Sequence, residues 1–201
     1  MKKISLVNRF LLLLMVLLAA YEVVTSGSDI FPWVTWSFTV GFGVLVIAGL
    51  LLIILGYPVL KNRLVIVLST LIPLSFSLGL VARFLPEFRS GFLVFVMVGL
   101  GLVIYTRFVR VNRFAIPVVA VVHGLSGVTL FLFPFYLVFS RLVNWGVVWI
   151  SVGSLLIGSG GLLLTFLKTD TPLLSEDTIL TIFPTVLLLT TISFALSMVV
   201  I

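Results

Sequence analysis

Two of the side chains able to gain or lose a proton, Glu22 and His123, stand deep inside long apolar runs of the chain. An ionisable group inside a bilayer costs about 2.5–3.5 kcal/mol on insertion scales, so each is a functional candidate. Glu22 follows Phe10 by about twelve residues and His123 follows Phe114 by about nine, which at 1.5 Å per helical residue predicts a common depth of roughly 14–18 Å. At one depth they would form a proton-linked pair: a carboxylate beside an imidazole lowers the burial cost of both, and histidine titrates near neutrality. The alternative is structural. Glu22 would then snorkel to the nearby interface, and His123, in the segment HGLSG, would donate one hydrogen bond to a neighbouring carbonyl.

Other chemistries find no residues to carry them. The chain has no cysteine and one histidine, which removes disulfides, thiolate metal sites, cysteine nucleophiles and bis-histidine haem ligation. No metal or other cofactor is expected. The lysines Lys2, Lys3, Lys61 and Lys168 flank apolar runs and do not enter them, leaving no Schiff-base lysine for a retinal. Ser126 stands one turn after His123, but nothing resembles Gly-x-Ser-x-Gly and no oxyanion donor is suggested. The expectation is a protein that is not an enzyme.

The elements that must hold these residues follow from composition. With 62% hydrophobic and 9% charged residues and a mean hydropathy of +1.41, the chain lies far from the roughly 25% charge of soluble domains. It reads as an all-α polytopic membrane bundle of seven transmembrane helices. Spans are expected at about 10–25, 33–57, 64–83, 91–109, 114–139, 145–167 and 178–201, each long enough for a hydrocarbon core about 30 Å thick. The runs are apolar without strict alternation, which excludes barrel strands. The first run, FLLLLMVLLAAY after MKKISLVNR, also has the form of a secretory signal, but no Ala-x-Ala cleavage site follows and it is counted as a helix.

Orientation follows from the short loops. Lys2, Lys3, Arg9, Lys61, Arg63, Arg107, Arg110, Arg113 and Lys168 fall on one side; Arg83, Arg89 and Arg141 fall on the other. The richer side is expected to be cytoplasmic, which places the N-terminus inside and Ile201 outside the cell membrane. Trp33, Trp36, Trp145 and Trp149 gather near the outer interface, where an indole is half buried and still hydrogen-bonds. The net charge of +6 suits anionic head groups, and no basic stripe away from the membrane flanks suggests nucleic acid.

The sixth run carries a stripe of small residues, Ser151, Ser154, Gly158, Gly161 and Thr165, in steps of three and four, which predicts one continuous face for close helix packing. A repeat is also suggested. GFGVLVIAGLLLIILGYPVLKNR from Gly41 aligns without a gap to GFLVFVMVGLGLVIYTRFVRVNR from Gly91, including the Asn-Arg endings, and a weaker copy starts near Trp145. The unit would be a two-helix hairpin repeated in parallel orientation. This layout is similar to small bacterial acid-resistance membrane proteins made of repeated helical hairpins, which have six helices; no residue role follows from it. Pro73, Pro134 and Pro184 fall inside helices, where kinks are favoured. The leading functional expectation is an accessory or scaffold module whose partners are membrane lipid and other membrane subunits or a second copy. The alternative is a small proton-linked carrier or channel using Glu22 and His123.

Overall fold

The computed structural model describes residues 4–25, 32–109, 113–166 and 174–201. Lys2, Lys3, Arg110, Asn112 and Lys168, used above for orientation and the repeat, lie outside them. Seven helices long and apolar enough to cross a membrane are present: α1 (Leu6–Thr25), α2 (Pro32–Leu55), α3 (Arg63–Phe84), α4 (Arg89–Ile104), α5 (Ala115–Phe139), α6 (Trp149–Phe166) and α7 (Glu176–Met198). α4 runs on through a π-helical turn, Tyr105–Val109, and α6 is preceded by a 3-10 turn, Trp145–Val148. The protein is an all-helical, multi-pass membrane bundle.

Polar residues beside the apolar runs set several helix ends. The Ser5 hydroxyl accepts from the Asn8 amide at 3.1 Å, so α1 starts ahead of the apolar run expected from Phe10. Asn62 caps α3 by accepting from the Leu64 amide at 2.9 Å, and Ser175 caps α7, with Glu176 and Asp177 in the first turn at the positive end of the helix dipole. α5 ends with Arg141 at φ 57°, the Leu142 amide returning to the Leu137 carbonyl and the Arg141 amide to that of Val138, a Schellman closure. α3, α5 and α7 continue through Pro73, Pro134 and Pro184.

Helix neighbours define a ring in the order α1, α2, α3, α5, α6, α7 and back to α1, with α4 outside it against α3 and α5. Phenylalanine fills the centre. Phe38 and Phe42 of α2, Phe76 of α3 and Phe194 of α7 are all buried, with ring centroids 4.3 Å apart for Phe76–Phe194, 5.0 Å for Phe42–Phe76 and 5.8 Å for Phe38–Phe76. Glycines opposite make the room: a Cβ on Gly41 would stand 2.5 Å from the Phe76 ring, on Gly79 2.8 Å from Phe38, and on Gly153 2.6 Å from Phe194. Lipid tails are as apolar as these side chains, so close packing of this kind, rather than apolar burial, draws membrane helices together.

A second cluster toward the end of the bundle that bears Arg9, Lys61 and Arg63 joins Leu12, Met15, Leu52, Tyr57, Leu180 and Leu187. Gly49 admits Met15 and Val16 of α1 against α2 there. A third, with Leu74, Leu78, Val96, Val103 and Val122, attaches α4 through the contact of Gly99 with Val122. The aligned glycines are therefore used differently. Gly49 seats the preceding helix, whereas Gly99 seats the following one; Gly41 holds Phe76, whereas a Cβ on Gly91 would meet nothing within 4 Å.

Candidate functional site

Glu22 and His123 stand on α1 and α5, which are not neighbours in the ring. Glu22 lies about 24 Å along α1 from Leu6, but His123 only about 12 Å along α5 from Ala115, at 1.5 Å per residue. Neither side chain makes a hydrogen bond or ion pair with another described residue, and the phenylalanine cluster occupies the middle of the ring. Glu22 is 7% exposed, one turn before the end of α1, on a helix packed against α2 and α7. His123 is half buried.

The hydroxyl beside the histidine points elsewhere. Ser126 Oγ donates to the Val122 carbonyl at 2.8 Å and approaches the His123 carbonyl at 3.1 Å, which turns it onto its own helix and away from the imidazole. Most buried hydroxyls do the same: Ser77 donates to the Pro73 carbonyl at 2.6 Å, Thr70 to Ile66 at 2.8 Å and Thr191 to Leu187 at 2.9 Å. The buried Thr35 and Thr190 hydroxyls have no partner among the described residues. No group of three or more histidine, aspartate or glutamate side chains placed to hold a metal occurs among the described residues.

The small-residue stripe of α6 divides in two. Near the tryptophans, Ser151 donates to the Phe131 carbonyl of α5 at 2.8 Å and Ser154 to that of Gly127 at 3.2 Å, fastening α6 to α5. Further along, the stripe meets no neighbour: a Cβ on Gly158 or Gly161 would meet nothing within 4 Å, and Thr165 is exposed, bonded to the Gly161 carbonyl of its own helix. The glycines of α6 in tight contact lie on another face, Gly153 against Phe194 and Gly160 against Val186 of α7. The spacing that marks Gly158 as a packing residue is satisfied by the serines alone.

Two polar fastenings went unmarked in the sequence. Buried Asn8 donates through Nδ2 to the Tyr57 hydroxyl and to the Thr181 carbonyl, each at 3.1 Å, tying α1 to the turn after α2 and to α7. At the same end Arg63 Nη1 donates to the Arg107 carbonyl at 3.4 Å, and Arg107 Nη2 to the Ala115 carbonyl at 3.3 Å, linking α3, α4 and α5. A polar amide between Val7 and Arg9 was the available signal for the first; the second depends on the π turn, which no spacing announced. Comparison with family models, with curated proteins and with solved structures found no match for this chain.

Proposed function

We propose that the chain is a non-enzymatic, multi-pass protein of the cell membrane that works as an accessory or scaffold module, binding lipid or other membrane subunits. The observation that carries this reading is the filled centre: Phe38, Phe42, Phe76 and Phe194 pack where a carrier would keep its path. Transport sites gather several buried charges around broken helices at the midplane. Here the two intramembrane ionisable groups, Glu22 and His123, stand on non-neighbouring helices of the ring. The Lys/Arg-rich end of the bundle is cytoplasmic in this proposal, and the tryptophan-bearing end is external. No cofactor and no nucleic acid enter it.

The test is proton movement in reconstituted vesicles. The wild-type protein is expected to leave an imposed pH gradient intact, and Glu22→Gln and His123→Asn to behave like it. Gradient dissipation by the wild type that is lost in both variants would overturn the proposal in favour of the proton-linked carrier.

A further inference from the structure

The corner where α3 begins, α4 ends and α5 begins concentrates positive charge with no ion pair among the described residues. Arg63 is the first residue of α3, and its guanidinium lies on the carbonyl of Arg107, so a second cationic residue is held against the backbone that carries the first. Arg107 is itself held to Ala115, with its Nε buried and without a partner among the described residues. Arg113 follows on the connection into α5, exposed and stacked over the Phe114 ring at 5.2 Å. None of the three forms an ion pair with a described residue. Helix dipoles do not offset this charge. α3 and α5 both present positive N-terminal ends here, against one negative end from α4, so the corner carries about +3.5 elementary charges. Arg63 in particular sits at the pole that disfavours a cation. Two of the guanidiniums are also fixed in place, which reduces the ordering cost of binding an anion.

We infer that this corner binds the phosphate of an anionic membrane lipid, with Arg63 and Arg113 as its direct donors and Arg107 as the positioning residue that holds Arg63 and the start of α5. A phosphate oxygen accepts well from the planar guanidinium fork. The surroundings select a lipid over free phosphate, because the exposed side chains beside the arginines are apolar: Leu64, Phe108, Val109, Phe114 and Ile116 would lie along the glycerol and upper acyl chains. This deepens the lipid-binding part of the proposed function and rests on it; the vesicle experiment above tests that reading by a separate readout.

Native mass spectrometry of the detergent-purified full chain, titrated with phosphatidylglycerol or with phosphatidylcholine, is the test. The expected result is one phosphatidylglycerol retained per chain in preference to phosphatidylcholine. Arg63→Gln and Arg113→Gln should each weaken it at least five-fold, Arg63→Lys less, and Arg9→Gln, at the same end on α1, less than two-fold. Equal losses from Arg9→Gln would show diffuse surface charge and overturn the site. Stabilisation by inorganic phosphate alone at the same concentration would overturn the lipid assignment, as would unchanged retention in both glutamine variants. If Arg63→Gln fails to fold, Arg113→Gln decides the matter, since its exposed side chain bonds to no other helix.

Discussion

Adding one methyl group to Gly153 should destabilise the bundle, while the same change at Gly158 should not. The new Cβ at 153 would stand 2.6 Å from Cδ1 and Cε1 of Phe194, about 1 Å inside ordinary carbon–carbon contact. Phe194 cannot withdraw: it is fully buried and its ring lies 4.3 Å from that of Phe76, which itself rests against Gly41. Overpacking costs about 1–3 kcal/mol, and with Phe194 held in place the upper part of that range, about 2–3 kcal/mol, applies. The better helix propensity of alanine returns about 1 kcal/mol, and burial of a methyl among membrane helices adds little. Gly153→Ala should therefore lose about 1–2 kcal/mol, whereas Gly158→Ala, with open space before it, should be neutral or gain up to about 1 kcal/mol. Unfolding in mixed micelles by added denaturing detergent measures both. Replacing Phe194 by Leu in the Gly153→Ala background should recover part of the loss, giving a coupling energy above about 0.5 kcal/mol. The reasoning fails if Gly153→Ala is as stable as the wild type or if Gly158→Ala loses 1 kcal/mol or more.

Asn8→Ala should cost about 1 kcal/mol by removing both donations, to Tyr57 and to the Thr181 carbonyl, in the same unfolding assay. Arg141→Gly should stabilise by about 0.5–1 kcal/mol, because Arg141 closes α5 in the left-handed region where glycine is unstrained; a lower melting temperature would contradict this. A reporter active only in the cytoplasm should be silent when fused after Ile201, and strong activity would reverse or shorten the proposed topology.

Helix number was legible in the sequence because crossing a membrane demands about 20 apolar residues at a stretch, a signal composition cannot hide. Helix neighbours were not. A helix apolar on all sides carries no stripe that points to its partner, so nothing in α4 foretold that it would stand outside the ring. The serines of α6 did disclose their role, since a hydroxyl inside a bilayer needs an acceptor and Ser151 and Ser154 find theirs on α5. The glycines disclosed less: Gly153 and Gly158 look alike as letters, and only the position of Phe194, far away in sequence, distinguishes them. For Glu22 and His123, the apolar runs gave a distance along each helix but not the helices' neighbours: α1 lies between α2 and α7, and α5 packs on α3, α4 and α6.

The neighbour order also dictates a sequence of events during synthesis. Of the seven helices α1 emerges ahead of the rest, yet one of its two flanking partners, α7, emerges after the other six. Until then the face of α1 that carries Asn8 lacks the Thr181 carbonyl, and the groove at Gly153 lacks Phe194. The nascent chain must therefore wait as an open arc whose two free edges recognise each other only at the end, and a chain halted before α7 would present both edges to other helices in the membrane.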